Sequence, residues 1–80
     1  MENIEFDLSK LRGRIREILG SEQEYQRKMG FSNFKRDHRL NGKSYFSQDE
    51  IQLTCKLLSI EPNEIPEYFF KIKVRKTEQM

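Results

Sequence analysis

Basic side chains are concentrated between positions 27 and 43 of this 80-residue chain. The stretch has a local charge of +5, because it holds six Lys or Arg and a single acid, whereas the net charge of the whole chain is only +2. The six are Arg27, Lys28, Lys35, Arg36, Arg39 and Lys43, and the acid is Asp37. Most charge clusters are solvated surfaces, but a basic surface of this density is also typical of proteins that contact phosphate groups.

Histidine and cysteine, which serve most often in catalysis and zinc binding, are scarce. The chain has one histidine, His38, and one cysteine, Cys55, which excludes a zinc site built from Cys and His. A Ser-His-Asp triad would have to use His38, which is surrounded by Lys and Arg, and no glycine-rich phosphate loop occurs. The sequence therefore predicts that the protein is not an enzyme and that it needs no metal and no cofactor.

Three features bear on the cellular location. No apolar run approaches the roughly 20 residues needed to span a bilayer, and acids at Glu2, Glu5 and Asp7 interrupt any signal-peptide core. The lone Cys55 cannot form an internal disulfide and suits a reducing compartment. We expect a cytoplasmic protein without a membrane partner.

The basic cluster lies on a predicted pair of short helices. Ser21, with Glu24 three residues later, has capping-box spacing and predicts the start of the first helix. Gly30 can end that helix, Ser32 can cap a second helix over 33–40, and Gly42 can close it. Two short helices joined by a glycine-containing turn have the layout of a helix-turn-helix.

Further helices are predicted on either side of this pair. Apolar residues at helical spacing predict a helix over about 8–19, capped by Asp7, in which Gly13 costs up to about 1 kcal/mol and suggests a backbone packed closely against it. Ser47 and Glu50 form a second capping-box pattern before a helix over about 48–59. Prolines at 62 and 66 bracket a short last helix, after which we expect residues 68 and 69 to return to the core.

The apolar period changes at the end of the chain. Phe70, Ile72 and Val74 alternate with basic residues, which is the pattern of a half-buried strand. This strand could pair with the same strand of a second molecule, pair with the arm formed by residues 1–6, or be an ordered tail. We therefore divide the chain into an arm at 1–6, a helical domain at 7–69 and a strand or basic tail at 70–80.

The arrangement resembles a family of small Cro-like phage proteins from Gram-positive hosts, within the lambda-repressor/Cro helix-turn-helix superfamily. Segments 28–32 (KMGFS) and 40–42 (LNG) carry the helix-turn-helix part of the resemblance, and segments 7–15, 47–51 and 64–70 extend it to nearly the whole chain. The resemblance implies an all-α, compact five-helix lambda-repressor-like domain. The short C-terminal strand is predicted separately, from the alternation of apolar and basic residues. It also implies sequence-specific binding of double-stranded DNA and transcriptional control of a phage or prophage in the bacterial cytoplasm.

The resemblance assigns a role to individual residues. The helix at about 33–40 would lie in the major groove, where an Asn amide can bond adenine bidentately and Lys or Arg can bond guanine. The predicted base contacts are Asn33, Phe34, Lys35 and Arg36. The predicted contacts to the DNA backbone are Gln23, Arg27, Ser32, His38, Arg39, Asn41, Lys43 and Ser44. The predicted homodimer contacts follow from the unpaired strand edge and not from the resemblance; they are Phe70, Ile72 and Val74.

Three positions depart from the family pattern. The family has a small residue where Gln26 stands, and aliphatic residues, which pack the second helix onto the core, where Arg36 and often Arg39 stand. An unpaired charge buried at such positions would be costly. Either the helix is rotated, so that Phe34 and Leu40 supply its buried face and the arginines point outward, or the helix-turn-helix is remodelled. The second alternative predicts a protein-binding regulator, such as an antirepressor or an inhibitor of a host enzyme.

Overall fold

The structure, a computed structural model, describes residues 5–73. Five α-helices follow one another in this part of the chain, which confirms the predicted all-α, five-helix fold. Their bounds are Ser9–Leu19 (α1), Glu22–Met29 (α2), Asn33–Leu40 (α3), Gln48–Leu58 (α4) and Ile65–Phe69 (α5), with a single 3₁₀ turn at Pro62–Glu64 before α5. None of these helices has the length and apolar character that crossing a bilayer would require.

Two predicted helix starts are found in the structure, each at a serine that precedes a first turn with acidic residues. At α4 the capping box is complete, since the Ser47 hydroxyl accepts from the Glu50 amide while the Glu50 carboxylate accepts from the Ser47 amide. At α2 only half of the box forms: Ser21 accepts from the Glu24 amide, but the Glu24 carboxylate binds Arg27 instead. These local hydrogen bonds satisfy amides that a helix leaves without partners in its first turn.

The first helix begins slightly later than Asp7 would place it. Helix α1 begins at Ser9, and the Asp7 carboxylate accepts hydrogen bonds from both the amide and the hydroxyl of Ser9. These bonds hold the pKa of Asp7 below its usual value. The expectation of a close neighbour at Gly13 is wrong, because a Cβ built there meets no atom within 4 Å.

Two glycines permit turns that other residues would strain. Gly30 ends α2 with a φ of 74°, in the left-handed region that glycine adopts at no steric cost. Gly42 has a φ of 76°, and a Cβ there would lie 2.9 Å from the carbonyl oxygen of Phe6. The loop after α3 can therefore lie against the N-terminal arm only because position 42 has no side chain.

The core is a single apolar cluster drawn from all five helices and their connections. Tyr25 is completely buried, and its hydroxyl shares a 2.7 Å hydrogen bond with Thr54 of α4. Burial raises the pKa of this tyrosine. The predicted return of Tyr68 and Phe69 to the core is confirmed, since both are buried. The other core residues are Leu8, Leu11, Ile15, Phe31, Leu40, Leu58 and Ile60.

The end of the described chain pairs with its beginning. Ile72 forms an isolated antiparallel bridge with Phe6, and the flanking backbone bonds join Asp7 to Lys71 (2.7 Å) and Lys73 to Glu5 (2.9 Å). Of the three alternatives considered for the C-terminal segment, the structure shows pairing with the N-terminal arm.

Two expectations about the C-terminal segment need correction. Within residues 5–73 it forms a single bridge instead of a strand, because only one residue pair faces the short arm. Phe70 and Ile72 are exposed instead of half-buried. Val74 lies outside the described residues, and the homodimer stays a prediction.

Candidate interaction surface on helix α3

The exposed surface of α3 is centred on an aromatic pair. Phe34 is 69% exposed, and its ring stacks on the ring of His38, one helical turn later, with centroids 3.9 Å apart. Leu40 is buried, but Phe34 does not share its buried face, so the alternative of a rotated helix with outward-pointing arginines is wrong. The reason lies on the opposite side of the helix, where the two unusual arginines find polar partners inside the molecule.

The first of these partners is Gln26 of α2. The Arg36 guanidinium donates a 2.8 Å hydrogen bond to the side-chain oxygen of Gln26, and both side chains are partly buried. Two departures from the family pattern therefore compensate each other, since each polar group satisfies the other where α2 and α3 meet. Arg36, predicted to contact bases, donates to Gln26 where α2 and α3 meet, and its contact with bases stays a prediction.

The second partner is Glu50 of α4. Arg39 donates to both carboxylate oxygens of Glu50, at 2.8 and 3.3 Å, and its remaining terminal nitrogen donates to the Ser44 hydroxyl at 2.6 Å. Lys35 reaches the same carboxylate at 2.9 Å. The side chains of Arg39 and Glu50 are only 16% and 13% exposed, so water screens this pair less than a surface pair.

The charge on Glu50 is strongly stabilised. Burial by itself would raise the pKa of this carboxyl group. The hydrogen bonds from Arg39, from the Ser47 amide and from Lys35 outweigh burial and lower the pKa to about 2. Glu50 thus fixes α3, α4 and the loop between them through one carboxylate.

Several predicted contacts to the DNA backbone are also engaged within the chain. Arg27 binds Glu24 at 3.2 Å. The Asn41 side chain accepts from Arg12 at 2.9 Å and donates to Asp37 at 3.0 Å. The Ser32 hydroxyl accepts from the Lys35 amide as the cap of α3. Much of the +5 charge that stands out in the sequence is therefore offset by neighbouring acids.

Three predicted DNA-contacting residues differ from these. Gln23, Asn33 and Lys43 are exposed, and their side chains make no hydrogen bond or ion pair within residues 5–73. Asn33 stands in the first turn of α3 and Lys43 in the loop that follows the helix. These are the side chains through which the surface retains a capacity to contact nucleic acid.

An aromatic groove beside α3 was not predicted from the sequence. It encloses a cavity of about 380 Å³ between the N-terminal arm, the loop after α3, and the end of α5. Tyr45 and Phe70 are exposed at this groove, and the Phe6 ring meets both edge to face, with centroids 5.7 and 6.0 Å away. The main lining side chains are those of Phe6, Leu8, Tyr45, Phe46, Phe69 and Phe70. The one sequence signal was the number of aromatic residues, which does not reveal that they converge.

The described residues offer little to a metal. Among residues 5–73, no three side chains of the His, Cys, Asp or Glu type lie close enough together to hold an ion. The surface features that the described residues do offer are an aromatic pair, an aromatic groove and a few free polar side chains.

Comparisons with known proteins show what this chain is similar to. The fold is similar to the solution structure of the modulator of repression of the temperate bacteriophage TP901-1 from Lactococcus lactis, with a TM-score of 0.73 and 35% sequence identity. The similarity covers 89% of this chain and 96% of the phage protein. A search of curated proteins gives no significant match. Residues 4–72 match the model of the family described as protein of unknown function DUF739, and the chain belongs to that family.

Proposed function

We propose that this protein regulates phage gene expression by binding another protein, through the outer face of α3 centred on Phe34 and His38. The observation that carries the proposal is the direction of the α3 side chains. The long cationic ones are held by Gln26 and Glu50, and a largely exposed phenylalanine occupies the outer face. Exposed aromatic side chains are enriched at the centres of protein interfaces.

The engaged arginines weigh against base recognition by α3. Guanine is recognised by a free guanidinium or ammonium group that donates to O6 and N7. Before Arg36 could do this, it would have to leave Gln26 at the partly buried contact between α2 and α3. Lys35 would have to leave Glu50, whose carboxylate is largely buried. Both movements lose interactions that hold α3 in place.

The similar phage protein supports the regulatory part of the proposal and suggests the partner. A protein that modulates repression can act on the repressor itself, without any contact to DNA. We infer that the partner of this chain is a repressor of the same phage or prophage. Binding across the outer face of α3 would change how that repressor occupies its operators.

Direct DNA binding is the second candidate function. Asn33, Gln23 and Lys43 favour it, because all three are exposed and free of side-chain partners within residues 5–73. In that case Asn33 would bond an adenine, and Lys43 would contact the DNA backbone. A homodimer would then place two half-sites about 34 Å apart.

One pair of titrations separates the two candidates. The protein is titrated against DNA from the regulatory region of its phage or prophage, and separately against the repressor that binds that DNA. We expect a complex with the repressor, and only salt-sensitive, non-selective binding to DNA. Phe34→Ala should weaken the protein complex by about tenfold or more, as expected for an aromatic residue at the centre of an interface. Gln52→Ala, on an exposed part of α4, is the matched control and should change nothing.

A different outcome would support direct DNA binding. If the protein alone binds one DNA sequence selectively, and Asn33→Ala relaxes the preference at a single base pair, α3 recognises DNA. The protein-binding proposal is then wrong.

A further inference from the structure

The aromatic groove does not stand alone. A second, polar furrow of about 730 Å³ adjoins it and shares the loop residues Gly42, Ser44 and Tyr45 as a common wall. Lys43 and Lys73 line the furrow, together with Glu5. An apolar compartment thus lies next to a basic one. A ligand with an apolar part and a charged part can occupy both.

The charges in the furrow indicate the sign of the charge that the ligand carries. Lys73 lies 4.0 Å from Glu5, at the limit of an ion pair, so these two charges largely offset each other. Lys43 is exposed and makes no ion pair within residues 5–73. The furrow therefore has a positive charge without a compensating acid, and it attracts a carboxylate more than an ammonium group.

The aromatic groove indicates the apolar part of the ligand. Its volume lies within the usual range of ligand sites, about 300–1,000 Å³, and its lining is almost wholly apolar, as is typical of such sites. The edge-to-face contacts of the Phe6 ring with Tyr45 and Phe70 show the geometry that aromatic rings prefer, so a further ring can join the cluster.

The wall between the two compartments is firmly held. The Lys43 and Ser44 amides both donate to the carbonyl oxygen of His38, at 2.9 and 3.3 Å, and the Ser44 hydroxyl accepts from Arg39. On its other side the loop packs closely against the Phe6 backbone at Gly42. The site is therefore largely formed before any ligand arrives, which lowers the cost of ordering it.

We infer that the groove and furrow together bind an aromatic side chain with a carboxylate beside it, presented by the protein partner. The ring enters the aromatic groove, and the carboxylate pairs with Lys43. That the occupant belongs to a protein rests on the function proposed above. The loop that forms the wall is bonded to the His38 carbonyl at the end of α3, the helix whose outer face carries the proposed function.

The test uses three small probes and no partner protein. The probes are 3-phenylpropionate, 3-phenylpropan-1-ol, which has the ring without the charge, and propionate, which has the charge without the ring. The full-length ¹⁵N-labelled protein is titrated with each, and the amide signals of Gly42, Ser44 and Tyr45 are followed by NMR. We expect 3-phenylpropionate to bind about threefold more tightly than the alcohol, as an exposed ion pair allows, and propionate to bind most weakly.

Two variants test whether Lys43 causes the preference for the charged probe over the alcohol. Lys43→Ala should make the acid and the alcohol bind equally, whereas Gln52→Ala should leave the preference unchanged. Equal binding of acid and alcohol by the native protein, or shifts confined to residues outside the groove and furrow, would overturn the inference. Because neither repressor nor DNA is present, such a failure leaves the proposed function standing, and a failed repressor titration leaves this measurement valid.

Discussion

The hydrogen bond between Gln26 and Arg36 can be measured directly as a coupling free energy. Gln26→Ala and Arg36→Ala are made singly and together, and the free energy of unfolding of all four proteins is measured by urea titration. A hydrogen bond to a charged group contributes about 1.5–3 kcal/mol, and this one is short but only partly buried. We therefore expect a coupling energy of about 1.5 kcal/mol between the two sites.

An exposed ion pair on α2 provides the matched control. Glu24 and Arg27 lie three residues apart on the helix surface, where water and salt screen the two charges, so this pair should couple only weakly. In 1 M NaCl the coupling of this pair should vanish, because the Debye length falls to about 3 Å. The coupling of Gln26 and Arg36 should persist, since glutamine carries no charge. A coupling below about 0.5 kcal/mol, or one abolished by salt, would show that Arg36 does not hold α3 through Gln26.

Two more stability measurements test other parts of the fold. Gly13→Ala should stabilise the protein by about 1 kcal/mol, because the position is exposed, helical and open to a Cβ, and Tm should rise by about 4–8 °C in a thermal melt. An unchanged or lower Tm would contradict this. The pKa of the Glu50 carboxyl group falls from 4.5 to about 2 on folding. Its carboxylate therefore stabilises the native state above pH 4.5, and this stabilisation is lost as the pH falls from 4.5 to about 2. The free energy of unfolding of the native protein should therefore fall more steeply towards acid pH than that of Glu50→Gln, and parallel curves would contradict this account.

The parts of the fold that were predicted correctly depend on local chemistry. Ser47 and Glu50 are three residues apart, and both halves of their capping box follow from that spacing alone. Gly30 ends α2 because its backbone adopts a conformation that few other residues tolerate. Such signals involve neighbours in sequence, so no knowledge of tertiary contacts is needed to use them.

The parts that could not be predicted depend on partners far along the chain. Arg39 is bound by a carboxylate eleven residues later, and Arg36 by an amide ten residues earlier on another helix. The sequence showed that positions 26, 36 and 39 were polar where small or aliphatic residues were expected. It did not show that Gln26 and Arg36 satisfy each other, or that Glu50 satisfies Arg39. The aromatic groove was missed for the same reason, since Phe6 and Phe70 are distant in sequence and meet only when the two ends of the chain pair.

The inward direction of the arginines has a consequence for the opposite face of α3. A helix packed onto its core by aliphatic side chains leaves its long polar side chains free to donate to bases. Here Arg36 and Arg39 take over the packing role, and the donors that base recognition needs are used to hold the helix. Phe34 then cannot also turn inward, because the inner face of the helix is already occupied by Arg36, Arg39 and Leu40. The same polar residues that anchor α3 thus expose the aromatic surface, which is why we expect the partner at this face to be a protein.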